Sequence, residues 1–231
     1  MSHKYKDGHN ILPSVTTIIS ECSNKDALIQ WAGNSARDYI IDHWEFMQGM
    51  CIDYHLNAAR FAYRQLSRDA LNTGSEVHAV IEYDLKHNQL LIGRELSCST
   101  DDAYNALMGY MHFKTDYRLE PTGVEFTVIG PGWAGTMDFK GMLDGKSTLL
   151  DWKTSKAIYM DSMGPQLAAY WVADGRWADQ AGIVRLDKKT GDYELKLIKP
   201  KRLEHYYNIF QKMADLYFTR HPIIAKKAGV V

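Results

Sequence analysis

The chain has 231 residues, 45% of them apolar and 24% charged, with a formal net charge of −1. Those proportions belong to a globular protein and exclude a disordered or fibrous chain. No apolar run approaches the roughly 18 residues that a membrane span needs, and the opening MSHKYKDGHN has no apolar stretch of the secretory kind. Three cysteines, Cys22, Cys51 and Cys98, are odd in number and far apart. They argue against a disulfide framework or a closed zinc site, and the expected compartment is reducing and cytoplasmic. Charge is unevenly spread: residues 185–231 hold 11 Lys/Arg against 5 Asp/Glu, residues 1–184 hold 16 against 23. A basic C-terminal part suits an anionic partner.

In chain order, apolar residues at helical spacing predict helices over 26–47, 53–70, 74–88 and 101–117. Asn72-Thr73-Gly74-Ser75 reads as a helix start, with Thr73 or Ser75 as cap. The period then shortens, and strands are predicted at 124–129, 135–143 and 148–154, with Asp144-Gly145 as a hairpin turn. A helix at 162–175, strands at 181–187 and 192–198 around Thr190-Gly191, and a last helix at 201–219 complete the pattern. The expectation is an α/β fold: a small mixed sheet with an antiparallel centre, flanked by helices, and a helical N-terminal region over residues 1–72 packed on a core of residues 73–231.

Two motif matches fail on context. Gly130-Pro131-Gly132-Trp133-Ala134-Gly135 matches the dinucleotide fingerprint, but that motif needs a helix N-terminus after it to hold the pyrophosphate. Here a strand follows. Gly141 to Ser147 resembles a phosphate loop with one residue too few between its glycines, and it falls on a hairpin turn.

The stretch STLLDWKTS (147–155) carries more information. Strand side chains alternate, so Leu149, Asp151 and Lys153 share one face while Leu150, Trp152 and Thr154 share the other. Pairing about Asp144-Gly145 sets Asp138 near Asp151. Two carboxylates forced together in a partly buried place are costly unless a cation lies between them, and carboxylates suit hard divalent ions. A plain surface ion pair between Asp151 and Lys153 is the competing reading. On the helix before the strands, His78 and Glu82 are four apart and share a face. Gln166 and Tyr170 stand at the same spacing on the helix after them.

The ordered set GSEVHAVIE (74–82), Glu125 with GTMD (135–138), LLDWKTS (149–155) and QLAAY (166–170) resembles the PD-(D/E)xK nuclease superfamily. The likeness is to its RecB-like exonuclease branch, which includes mitochondrial genome-maintenance exonucleases, phage exonucleases and CRISPR adaptation nucleases. LPSVTTIIS (12–20) followed by ALIQWA (27–32) also looks like the opening of many phage and bacterial members. The resemblance implies a restriction-endonuclease-like core and a Mg²⁺- or Mn²⁺-dependent deoxyribonuclease using one or two ions. Its substrate would be DNA that is single-stranded or has free ends, in recombination, repair or DNA degradation, in the host cytoplasm where the gene is a phage's.

It implies His78, Asp138, Asp151 and the main-chain carbonyl of Trp152 as metal ligands, and Lys153 as the residue that positions the attacking water. Glu125 would support the metal site, Gln166 and Tyr170 would orient Lys153 or the substrate, and Glu82 would stand close by. An iron–sulfur cluster, which several branch members hold through three late cysteines, is not expected, because no cysteine follows Cys98. Trp133, Tyr159 and Trp171 are candidates to stack on bases, and Lys156, Lys199, Lys201 and Arg202 to contact phosphates. For these aromatic and basic residues, core packing and ordinary surface exposure are the competing readings. The competing functions are a structure-selective or sequence-specific endonuclease on the same fold, and a catalytically silent nucleic-acid-binding module.

Overall fold

The computed structural model describes residues 5–47, 52–88 and 98–230; Cys51 lies outside them. The chain divides into two compact units, Met1–Ser23 with Glu76–Val231, and Asn24–Ser75. The elements run β1 (Tyr5–Asp7), β2 (Asn10–Leu12), α1 (Val15–Cys22), α2 (Asp26–Asp42), α3 (Trp44–Met47), α4 (Ile52–His87) and α5 (Asp101–Asp116). Then come β3 (Leu119–Gly130), β4 (Trp133–Leu143), β5 (Lys146–Lys153), α6 (Met160–Ala173), β6 (Gln180–Leu186), β7 (Tyr193–Ile198), α7 (Pro200–Arg220) and α8 (Pro222–Lys227).

The larger unit is built on a five-stranded sheet in the order β3-β4-β5-β6-β7. Pairing is antiparallel except between β5 and β6, which are parallel because α6 carries the chain across the sheet between them. The sheet is therefore mixed, with an antiparallel meander at its start. Alternation along β5 sends its side chains into two cores. Leu149 packs with Leu167, Ala168, Ile183, Leu203 and Phe210 beneath α1, α6 and α7. Leu150 and Trp152 pack with Val77, Ile81, Tyr110 and Phe113 beneath α4 and α5. The Trp152 ring meets Tyr110 and Phe113 edge-on at 5.5 and 5.6 Å.

The hairpin of β3 and β4 does something a flat sheet cannot. Val124 and its partner Phe139 belong to the core under α4 and α5, whereas Phe126 and its partner Met137 belong to the core under α6 and α7. Residues two apart on a regular strand share a face. The hairpin thus changes faces between these two pairs, at Glu125 and Asp138. Glu125 has φ 49°, a left-handed backbone that costs an ordinary side chain about 1–2 kcal/mol.

Several sequence expectations are corrected. Residues 72–75 do not start a helix: α4 is continuous over 36 residues. Asn, Thr, Gly and Ser are weak helix formers, but without a proline nothing forces the chain out of helix, and the good helix formers on both sides carry the ladder through. Periodicity assigns no element before Lys25, yet the β1–β2 hairpin and α1 lie there. The Ser14 hydroxyl accepts from the Thr17 amide at 3.0 Å and so caps α1, whose β-branched residues otherwise favour strand. β3 begins five residues earlier than expected, tolerating Pro121 because it is an edge strand with an irregularity between Pro121 and Gly123. The glycine-rich 130–135 stretch is the tight β3–β4 connection, with Gly132 at φ 80°.

In the smaller unit, Tyr39 stacks on His43 at 4.1 Å, and the buried His55 lies edge-on to Tyr54. No described helix in the chain is long and apolar enough to cross a membrane.

Candidate functional site

β4 pairs with β5 only from Leu143↔Lys146 to Phe139↔Leu150, while it stays paired with β3 back to Trp133. Beyond Phe139 the two strands part and leave a fork. Backbone groups lining it need new partners, because a buried amide without one is costly. The Trp152 N–H donates to Asp138 Oδ2 at 2.8 Å, so a side chain on β4 replaces the missing ladder bond. The Trp152 carbonyl faces His78 Nε2 of α4 at 3.1 Å.

A carbonyl can only accept, so Nε2 carries the proton, and in neutral His78 Nδ1 presents a lone pair. That nitrogen stands 3.6 Å from Asp138 Oδ2 and 3.7 Å from Glu125 Oε1. One donor atom from each of His78, Glu125 and Asp138 lies within 4.8 Å of the others. Glu125 reaches the group because it and Asp138 lie between the pairs Val124↔Phe139 and Phe126↔Met137, at the change of face. Ligand atoms around a small divalent ion held at about 2.1 Å are spaced by about 3 to 4.2 Å. One imidazole nitrogen and two carboxylates therefore fit Mg²⁺ or Mn²⁺ in both chemistry and spacing. The carbonyl bond to the outer nitrogen is the orienting contact that a metal-binding histidine usually has.

On the other side of the fork, Asp151 is 2% exposed. Its Oδ1 accepts from Gln166 Nε2 at 3.1 Å, and the Lys153 ammonium meets Oδ2 at 2.6 Å as a contact ion pair. Gln166 Nε2 also lies 3.4 Å from the Tyr170 hydroxyl. Tyr170 can come this close to β4 only because residue 135 is glycine: a Cβ there would stand 2.3 Å from the ring.

Burial pushes the Asp138 carboxyl up to about 7, with the Asp151 carboxylate adding to the rise. Burial alone would lower the Lys153 ammonium, but Asp151 and Asp138 outweigh it and hold the pKa above the usual lysine range. Burial likewise opposes protonation of His78, and Glu125 and Asp138 reverse the balance, leaving the imidazole raised. A fork that raises all three of these groups is one short of positive charge.

His78, Glu125, Asp138, Asp151, Trp152, Lys153, Gln166 and Tyr170 are thus brought together. Among the four atoms expected to bind metal, His78 and Asp138 share the donor cluster with Glu125. The Asp151 carboxylate is engaged by Lys153 and Gln166, and the Trp152 carbonyl by His78. Glu82 points elsewhere and pairs with Lys86 one turn along the surface of α4. Trp133 is 3% exposed and packs edge-on to Phe210 at 5.0 Å, and Trp171 is equally buried, so neither ring offers a stacking face. Tyr159 is half exposed. Lys156, Lys199, Lys201 and Arg202 are exposed, with Arg202 lying over the Tyr206 ring.

Two residues given no role in the sequence reading, Tyr5 and Thr136, adjoin the fork. The N-terminal segment occupies the edge of β4 that β5 vacates: Ala134 donates its amide to the Pro13 carbonyl at 3.1 Å. The Tyr5 hydroxyl meets Thr136 Oγ1 at 3.0 Å. No local signal marks them, since the pair is 131 residues apart in the chain. No protein-family model matches this sequence, and a search of curated proteins finds no match to it.

Proposed function

We propose that the chain is a metal-dependent deoxyribonuclease of the PD-(D/E)xK type, with a restriction-endonuclease-like core, acting as an exonuclease on DNA that is single-stranded or has free ends. The observation that carries this reading is the convergence of His78, Glu125 and Asp138 beside the Asp151–Lys153 pair in one strand fork. One or two Mg²⁺ or Mn²⁺ ions bound there would supply Lewis acidity and acidify a bound water. His78, Glu125 and Asp138 would hold the ion, and the Asp151 carboxylate across the fork would offer a further oxygen. Lys153, kept charged by its carboxylate neighbours, orients the attacking water and offsets charge on the phosphate. Gln166 holds the Asp151 carboxylate in place, backed by Tyr170. The exonuclease assignment, and a role in recombination, repair or DNA degradation, rest on the resemblance of the ordered motifs.

The test is incubation with end-labelled single- and double-stranded DNA in Mg²⁺, Mn²⁺ or EDTA. Cleavage is expected with either ion and none in EDTA. Lys153→Ala is expected to lose at least a thousandfold in turnover while still binding DNA. Full activity in Lys153→Ala would overturn the assignment. Cleavage of circular single-stranded DNA would favour an endonuclease, and tight DNA binding without any cleavage a silent binding module.

A further inference from the structure

We propose that Tyr5 and Thr136 form an uncharged phosphate-holding subsite at the far end of the fork, a reading that rests on the nuclease function above. The fork is lined by Glu125, Asp138 and Asp151, which repel a phosphodiester, and among the described residues the ammonium at the fork, Lys153, is already paired with Asp151. A bound strand needs hydrogen-bond donors there that bring no further negative charge. Tyr5 and Thr136 supply one. Their hydroxyls meet at 3.0 Å, and both residues are partly exposed. Two hydroxyls carry two protons, and a single bond between them uses one. The other is free to donate, and a phosphate oxygen is a better acceptor than water.

The placement of the pair is fixed from both sides. Thr136 precedes Asp138 by two residues on β4, about 6.7 Å along the strand. That step is comparable to the spacing of neighbouring phosphates in an extended nucleic-acid strand. Tyr5 is held by its cross-strand pairing with Leu12 in the β1–β2 hairpin and by the Pro13–Ala134 backbone bond. A phosphate at the metal cluster and the next one at this hydroxyl pair would set the strand's register along β4. The N-terminal hairpin thereby gains a role in substrate binding as well as in covering the β4 edge.

Tyr5→Phe and Thr136→Val each remove one hydroxyl and keep the shape of the side chain. The measurements are the affinity for a labelled oligonucleotide in Ca²⁺, chosen to hold the strand without cleavage, steady-state cleavage in Mg²⁺, Mn²⁺ affinity by calorimetry, and the melting temperature. Either single variant leaves one hydroxyl whose proton is then free to donate, so its loss is expected to be small. The double variant is expected to weaken oligonucleotide binding about tenfold, the scale of one hydrogen bond to a charged group. The loss in the double variant should fall mainly on KM and exceed that of either single variant. Mn²⁺ affinity should stay at the wild-type value, and the melting temperature should fall only by the few degrees that loss of one partly exposed hydrogen bond brings. Unchanged oligonucleotide affinity in the double variant, with wild type cleaving normally, would overturn the subsite. So would a parallel loss of Mn²⁺ affinity, which would make Tyr5 a support of the metal centre. A wild-type chain that neither binds nor cleaves DNA would instead overturn the nuclease reading itself.

Discussion

Asp138 performs two tasks with one carboxylate, and substitutions can separate them. Its Oδ2 accepts the Trp152 amide where the strand ladder ends, and it shares the donor cluster with His78 and Glu125. Asn keeps an acceptor for that amide and removes the buried charge. Ala leaves the amide without a partner, at about 1–3 kcal/mol. Asp138→Asn is therefore expected to be at least as stable as metal-free wild type in urea denaturation at neutral pH, and Asp138→Ala to be less stable than Asp138→Asn by that amount. Both should lose at least tenfold in Mn²⁺ affinity by calorimetry. Equal destabilisation by the two substitutions would refute the structural half of this account. At this scale much of the site was legible. Strand alternation alone put Asp151 beside Lys153, and the hairpin turn put Asp138 opposite. The left-handed Glu125 and the bond from Asp138 to a backbone amide were not legible. Both arise where two strands separate, and no residue type announces that.

Among the elements, α4 separates local preference from the outcome. Asn72 is exposed within the continuous helix. Ahead of a helix start capped by Thr73 or Ser75, it would gain nothing from replacement by a better helix former. In a helix interior, Asn→Ala gains about 0.5 kcal/mol. Asn72→Ala is thus expected to raise helicity and thermal stability slightly, and a fall in either would mean that the helix is broken there. The five sheet strands and the later helices were legible because each buries a face with a regular period. The N-terminal hairpin and α1 were not. Their residues are held by contacts with β4 and α7, more than a hundred positions away, as the Tyr5–Thr136 and Cys22–Met213 bonds illustrate.

For the whole molecule, the raised Asp138 carboxyl links stability to pH. Its folded pKa of about 7 lies above the ordinary 3.8. The folded state therefore holds a proton that the unfolded chain releases, and stability is lost as pH rises from 3.8 to about 7. Asp102 and Asp187 act in the opposite sense. Lys189 and Arg185 lower their carboxyls below the ordinary value, so their contribution disappears as pH falls through the folded pKa. In the metal-free protein, melting temperature is expected to decline between pH 5 and 7. Mn²⁺, which binds the ionised carboxylate, should remove that decline and raise the melting temperature more at pH 7.5 than at pH 5.5. A Mn²⁺ effect of equal size at both values would count against Asp138 as a ligand. The three-layer arrangement could be anticipated from the order of elements. The exchange of faces in the β3–β4 hairpin could not, because it depends on both cores at once.

The edge of β4 filled by residues 5–14 has a consequence for synthesis. Tyr5 leaves the ribosome long before Thr136 exists, and the loop that their contact closes contains the whole Asn24–Ser75 unit. The wall of the fork cannot be completed on a growing chain until β4 has emerged. Until then the β1–β2 hairpin has no β4 to pack on, and the site is assembled only when both ends of the loop are present.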